Sequence, residues 1–187
     1  MDIRITEHLT KTQMKDLIKL YRSAFPASEK KPFWLIRKKQ REGISEILGL
    51  IDREERLVGL AITIAWQDLL LLDYFAIVKD IRGQGCGGQA LRLLQERYRD
   101  RRLFLEIETP DVPCENLQQR LQRRHFYQSC GMDSMDYHVE LFGVEMEIMT
   151  FQCRVGFDEY HAIFSQVYGK RFASRVTLAA EGERGVN

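Results

Sequence analysis

Arg82-Gly83-Gln84-Gly85-Cys86-Gly87-Gly88 places four glycines in the six positions from Gly83 to Gly88. It follows an apolar run, Leu69 to Val78, broken only by Asp73, and precedes an amphipathic segment, Gln89 to Tyr98. That order predicts strand, glycine-rich loop, helix. With so few β-carbons, the loop backbone can come close to a ligand. The following helix aims its first N–H groups and the positive end of its dipole into the loop. Together these make an anion site suited to a phosphate or pyrophosphate. A plain turn would need only one or two such glycines.

Upstream, Ile3 and Ile5 alternate with polar residues as a short first strand. Thr10-Lys11-Thr12-Gln13 has the capping-box pattern, and Met14, Leu17, Ile18, Tyr21 and Phe25 follow at helical spacing up to Pro26. A second helix is expected from Phe33 to Glu42, opened by Pro32 and stopped by Gly43. Its surroundings are basic (Lys30, Lys31, Arg37, Lys38, Lys39, Arg41), which reads as a solvated face or as an attraction for anions. Phe33 and Trp34 read as core anchors. Strand-like runs follow at Ser45 to Asp52, Leu57 to Trp66 and Leu69 to Val78. The joins, Arg53-Glu54-Glu55-Arg56 and Gln67-Asp68, are short enough to make them antiparallel neighbours.

Downstream, Leu103 to Glu108 is a strand, so the glycine loop sits in a strand–helix–strand crossover to a parallel neighbour. Leu117 to Cys130 reads as a helix rich in Gln and Arg, stopped by Gly131. Alternation in Tyr137 to Leu141 and Val144 to Ile148, joined by Phe142-Gly143, predicts a hairpin. Tyr160, Ile163, Phe164 and Val167 are helix-spaced, with Gly169 as the stop. That apolar stripe suits packing on the sheet or the seam of a homodimer. Glu181 to Asn187 reads as a frayed tail.

The 187 residues carry a formal net charge of +1, so no global field steers the chain toward nucleic acid or a membrane. The polar start, Met1-Asp2-Ile3-Arg4, shows no signal-peptide pattern, and Leu69 to Val78 is too short to span a bilayer. Cys86, Cys114, Cys130 and Cys153 have no CxxC pair and no metal-ligand spacing. Reduced thiols, a cytoplasmic location and no metal are the expectation.

Gly83, Gly85 and Gly88 satisfy G-x-G-x-x-G, and Glu108 lies twenty residues further on, as in a dinucleotide-binding fingerprint. That fingerprint belongs to the first strand of its domain and is followed by further βαβ units. Here several strands precede it, and one helix and a hairpin follow. The order of elements instead resembles the GNAT superfamily of N-acetyltransferases. Arg82 to Gly87 matches that family's Q/R-x-x-G-x-G/A signature, and Phe75 to Asp80 looks like the end of its fourth strand. Phe126-Tyr127-Gln128-Ser129-Cys130-Gly131-Met132 looks like its F-Y-x-x-x-G-F segment. Lys79, Met132, Arg120 and Arg123 depart from common family residues without removing a cofactor-binding amide.

The resemblance implies a mixed α/β fold: an antiparallel meander, then strand, glycine loop, helix and strand, with strands 4 and 5 splayed in a V. The resemblance covers about residues 3 to 150, so residues 1–153 read as the acetyltransferase domain; residues 154–187, which have no counterpart in the family's core, read as a C-terminal helix and tail packed on it. The resemblance implies acetyl transfer from acetyl-CoA, as co-substrate, to a primary amine of a small molecule or peptide, by direct attack in a ternary complex. The alternative is a non-catalytic acyl-CoA-binding or sensor module on the same fold. Acetyl-CoA would pair with backbone groups of Phe75, Ala76 and Ile77. Its pyrophosphate would rest on the N–H groups of Gly83, Gln84, Gly85, Cys86, Gly87 and Gly88, with Arg82 nearby. The amine must lose a proton to attack. Glu106 and Glu108 project to one face of their strand and are the candidate bases, Glu106 ahead. Their mutual repulsion can raise one pKa. By the same resemblance the Ile77 N–H is the oxyanion donor, and Tyr127 is the acid that protonates the departing thiolate, facing the cleft while Phe126 packs in the core. Asp136, Glu140, Glu145 and Glu147 read as a solvated hairpin face or as a negative lining for a cationic amine. His125 and His138 read as surface or packing residues.

Overall fold

A computed structural model describes residues 2–27 and 29–179. The chain divides into two compact units, Met1–Leu103 and Phe104–Asn187. The expected frayed tail, Glu181 to Asn187, lies outside the described residues.

The first unit holds strands β1 (Ile3–Thr6), β2 (Ser45–Asp52), β3 (Leu57–Trp66) and β4 (Leu69–Ile77), with helices α1 (Lys11–Ala24), α2 (Phe33–Arg41) and α3 (Cys86–Arg97). The strands pair antiparallel in chain order, β1 to β4. The turns carry the chemistry their sequences promise. The Asp52 side chain accepts from the N–H groups of Glu54 and Arg56, and Gln67 takes φ +53° in the two-residue join. The capping box of α1 is complete: Gln13 N–H donates to Thr10 Oγ1, and Thr10 N–H donates to Gln13 Oε1. Such a cap is worth about 1 kcal/mol.

Helices α1 and α2 bury Leu17, Tyr21 and Ile36 against Ile47, Leu60, Ile62 and Tyr74 on one face of this sheet. α3 buries Cys86 and Ala90 against Ile3, Leu50, Val58 and Ile77 on the other. Each Leu, Ile or Val side chain so buried contributes about 1.5–3 kcal/mol. Two expectations fail here. Trp34 is 67 % exposed, not a core anchor; Phe33 alone of the pair packs inward, with its ring 5.5 Å from that of Tyr21. The helix after the glycine loop begins at Cys86, not Gln89, so Gly87 and Gly88 form its first turn. Burial of Cys86 beside Ala90 outweighs the roughly 1 kcal/mol that each glycine costs in a helix.

The register between β3 and β4 slips by one residue. Ile62 faces Tyr74 and Thr63 faces Leu72, so Asp73 is the extra residue of a β-bulge. Its carboxylate receives Lys31 Nζ at 2.7 and 3.0 Å, and both side chains are largely buried. Lys31 thus lies in a pinned connector between α1 and α2. Arg37, Lys38 and Arg41 lie on a solvated face, where Arg37 donates to Gln40, whereas the Lys39 side chain is largely buried and pairs with Glu42.

The second unit takes up β5 (Arg102–Glu108, whose first two residues close the first unit), then α4 (Leu117–Ser129), β6 (Asp133–Leu141), β7 (Val144–Thr150), α5 (Phe157–Tyr168), α6 (Lys170–Ala173) and β8 (Val176–Leu178). Spatial order is β5, β7, β6, β8, with antiparallel pairing throughout. The hairpin turn sets φ +54° at Phe142 and +85° at Gly143, as a tight turn of this hand requires. α6 and β8 have no counterpart in the sequence reading. Three residues of β8 carry too little pattern to announce a strand that exists by pairing with β6. The core of this unit is aromatic: Phe104, Tyr160 and Phe164 are fully buried.

Candidate active site

In the first unit, Val78 N–H donates to the Val58 carbonyl at 3.0 Å. Hydrogen-bonded pairs alternate along an antiparallel ladder, so Ala76, opposite Leu60, is the next residue bonded to β3. The backbone groups of Phe75 and Ile77 therefore point away from β3. They are presented outward at the end of the strand. The Ile77 carbonyl accepts from Arg82 Nε at 3.0 Å, which staples the start of the loop to the strand end.

Between strand and glycines, Lys79–Ile81 forms one 3-10 turn. Gly83 and Gly85 then take φ +78° and +80°. A β-carbon at either would meet nothing within 4 Å, so glycine is required here by backbone conformation and not by crowding. Gly85 is the N-cap of α3 and offers no side-chain cap, and the Gln89 N–H is bonded to its carbonyl. The N–H groups of Gly87 and Gly88 have no acceptor within the helix and lie at its positive end. The Cys86 side chain is buried in the core, so its contribution to an anion site is its backbone. Beside this loop runs a cleft of about 1020 Å³, with Val78, Lys79, Asp80 and Arg82 on one wall and Gln13, Asp16 and Lys19 of α1 on the other. That volume is enough for a cofactor-sized ligand.

In the second unit, β5 carries Glu106 and Glu108 on one face, and different helices meet them. Glu106 Oε1 accepts a 2.5 Å hydrogen bond from the Tyr160 hydroxyl of α5. Glu108 accepts from Arg120 Nη2 at 2.9 Å, and Arg123 approaches its other oxygen at 3.6 Å. Arg120 also donates to the Thr109 carbonyl, so it closes a clamp over the end of β5. The arginines that depart from the family pattern thus hold one of the two candidate bases.

Tyr127 lies on α4, which Gly131 ends at φ +84°. Its ring packs 5.1 Å from that of Phe126. The order of burial is the reverse of the expectation: Tyr127 is 8 % exposed, and Phe126 is the half-buried one. Burial pushes the Tyr127 phenol up to about 12, against a smaller opposing effect of Arg123. It is therefore protonated at neutral pH, as a proton donor must be.

Asp136, Glu145 and Glu147 of the hairpin are engaged within the unit, and Glu140 is exposed. Arg124 donates to Asp111 at 2.6 Å and to the fully buried Glu147 at 2.7 Å. The Ser134 hydroxyl also donates to Glu147. The hydrogen bond from Arg124 holds the Asp111 carboxyl below its usual range. Asp111, His138 and Glu147 bring ligand atoms within 4.8 Å of one another, and the cation among them is the Arg124 guanidinium. His138 is buried and pairs with Glu145 at 2.8 Å, while Asp136 pairs with Arg154 at the surface. None of the four cysteines forms a disulfide. No helix among the described residues is long and apolar enough to cross a membrane.

Sequence reasoning missed Tyr160 and Asp73. Tyr160 reads as one more apolar-stripe residue. Its signal is a hydroxyl in a stripe otherwise made of Ile, Phe and Val, since a buried tyrosine hydroxyl requires a partner.

Three comparisons bear on this arrangement. No curated protein sequence matches the chain. Among solved structures, a Bacteroides thetaiotaomicron protein assigned to the GNAT family of acetyltransferases superposes with a TM-score of 0.72 at 21 % identity, covering 89 % of this chain and 99 % of its own. Spermidine N-acetyltransferase from Vibrio cholerae, in complex with CoA and spermine, gives 0.63 at 14 % identity, covering 80 % and 94 %. A GNAT family acetyltransferase from Elizabethkingia anophelis with acetyl-CoA bound gives 0.56 at 16 % identity, covering 81 % and 98 %. At these identities the likeness is one of fold, a mixed α/β architecture. The sequence profile of the acetyltransferase (GNAT) family matches residues 14–132, from α1 past the glycine loop to the end of the Tyr127 segment, and the chain therefore belongs to that family of acyltransferases.

Proposed function

We propose that the chain is an N-acetyltransferase that moves an acetyl group from acetyl-CoA to a primary amine. The observation that carries this reading is the end of β4: Phe75 and Ile77 present backbone groups away from β3, and the uncapped α3 terminus follows at once. An amide-bearing arm can pair with the first as an added strand. A pyrophosphate can rest on the second. The solved relatives with CoA or acetyl-CoA bound lend support.

The family resemblance assigns the roles in the reaction. The amine nitrogen, freed of its proton, attacks the thioester carbonyl carbon. The displaced proton passes to Glu106, directly or through water. The carbonyl oxygen takes up negative charge and is held by the Ile77 N–H. The carbon–sulfur bond breaks, the CoA thiolate takes a proton from Tyr127, and the second proton shed by the nitrogen as the amide forms restores the Tyr127 phenol through water. Glu108, committed to Arg120 and Arg123, sets the field at the end of β5 and leaves the base role to Glu106.

The test is a melting experiment with acetyl-CoA and, in parallel, NADH, followed by free-thiol release against a panel of primary amines. Spermidine heads the panel because the Vibrio cholerae relative acts on it. Acetyl-CoA at 100 times its Kd should stabilise by about 2.7 kcal/mol, and NADH should not. Stabilisation without turnover on any amine would favour an acyl-CoA sensor module. Stabilisation by NADH alone, or by neither, would overturn the proposal.

A further inference from the structure

Glu106 and Tyr160 are 54 residues apart in sequence and joined by a 2.5 Å hydrogen bond. Tyr160 lies beyond residues 14–132, the span shared with the family profile. We infer that Tyr160 is a positioning residue for acetyl transfer, which fixes the Glu106 carboxylate as proton acceptor. This inference rests on the base role proposed for Glu106.

The geometry supports it in three steps. First, the tyrosine is immobile. Its side chain is fully buried, and its ring meets Phe104 at 6.2 Å and Phe164 at 5.1 Å, both edge-on. Phe104 precedes Glu106 by two residues and shares its face of β5, so the ring and the hydroxyl grip the same strand. Second, the helix that carries Tyr160 is itself fixed. Tyr160 N–H bonds the Gly156 carbonyl, Gly156 N–H bonds Glu159 Oε2, and the Tyr137 hydroxyl bonds the Val155 carbonyl. Third, the bond engages one carboxylate oxygen. It removes rotational freedom from a side chain that must meet a proton in one orientation. A hydroxyl donated to a carboxylate also favours its ionised form, the form a base needs.

The other ionisable groups around Glu106 are Tyr137 of β6, whose phenol feels the Glu106 charge, Glu159 beside it on α5, and Glu108 on the same strand, which Arg120 and Arg123 of α4 hold. Beside these groups, the Tyr160 hydroxyl donates directly to the Glu106 carboxylate.

The experiment is a double-mutant cycle on the full chain, with acetyl-CoA and the best amine of the panel. Tyr160→Phe should lower kcat about tenfold, with the KM for acetyl-CoA within about twofold of wild type. The acid limb of kcat/KM should move up by about one pH unit, as loss of a hydrogen bond to a charged acceptor requires. Glu106→Gln should abolish most turnover, and adding Tyr160→Phe to it should change kcat by less than about twofold. If Tyr160→Phe does not fold, Glu106→Asp retains the carboxylate but withdraws it from Tyr160, and should lose kcat to a similar extent.

An unchanged kcat and acid limb in Tyr160→Phe, with Glu106→Gln inactive, would overturn the inference and leave the base intact. So would an equal loss in both backgrounds, which would mean that the ring acts by packing. Full activity in Glu106→Gln would overturn the base assignment and this inference with it. A wild-type protein inactive on every amine would overturn the proposed function itself.

Discussion

Replacing Lys31 with Met isolates one charge. The Lys31 ammonium reaches Asp73 at 2.7 and 3.0 Å, with the two side chains 13 % and 4 % exposed. The backbone contacts of Lys31 do not need that charge: its N–H donates to the Tyr74 hydroxyl at 2.9 Å, and its carbonyl accepts from the Tyr21 hydroxyl at 2.8 Å. Methionine keeps both bonds and most of the volume, and leaves the Asp73 carboxylate buried in the bulge without its cation. Breaking a buried pair from one side costs about 3–5 kcal/mol. For a chain of 187 residues that is a fall in Tm of about 10 °C. Lys31→Met with Asp73→Leu removes both charges and should recover most of the loss, because an apolar pair of similar volume often does as well as an ion pair. Thermal unfolding followed by circular dichroism reads all three proteins. A Lys31→Met Tm within 2 °C of wild type, or a double variant no better than the single one, would refute the argument that burial makes this pair obligatory.

Arg124→Ala should cost about 3 kcal/mol or more in urea unfolding, since it strands the fully buried Glu147, and Glu147→Gln should restore part of it. The Asp111 carboxyl is held low by Arg124, so its stabilisation is complete above the usual carboxylate range and fades as pH falls through the lowered value. Arg124→Ala should therefore flatten the acid end of the stability profile below about pH 4. Tyr127 has the opposite sign: its phenol is raised to about 12, so its contribution is complete below pH 10 and is lost as pH rises toward 12. Tyr127→Phe should remove part of the alkaline fall in Tm. Gly85→Ala, forced to φ +80°, should lower Tm by about 2–4 °C and shrink the shift given by acetyl-CoA, both read by thermal melting.

Most element boundaries were legible because punctuation and periodicity agreed. Thr10 and Gln13 announced α1, Gly43 and Gly131 closed their helices, and Phe142-Gly143 marked the hairpin. The glycine loop was legible as a strand–turn–helix junction because its chemistry is local: Gly83 and Gly85 take the left-handed conformation that glycine favours. What escaped depends on partners distant in sequence. The start of α3 is set by where Cys86 and Ala90 are buried, which overrides glycine's poor propensity. The bulge at Asp73 is a matter of register against β3, and register is not written in β4 alone. β8 exists by pairing with β6. The Trp34 side chain, apolar and adjacent to a helix start, gave no hint that its neighbour Phe33 would take the inward position. The fates of Glu106 and Glu108 were decided by Tyr160 on one helix and by Arg120 and Arg123 on another.

Helix α4 is fastened in an unusual way. It buries a single side chain, Tyr127, and leaves Leu117 and Leu121 each 40 % exposed. Its hold on the rest of the second unit runs through Arg120, Arg123 and Arg124 to Glu108, Asp111 and Glu147. An attachment of this kind weakens in acid, as its carboxylates take up protons, where an apolar attachment would not; salt acts less on it, because Glu108 and Glu147 are shielded from solvent. The helix can then lift away in a partial opening while the strands stay folded. Since α4 carries Tyr127, pH acts on the fraction of molecules that hold in place the residue proposed as proton donor.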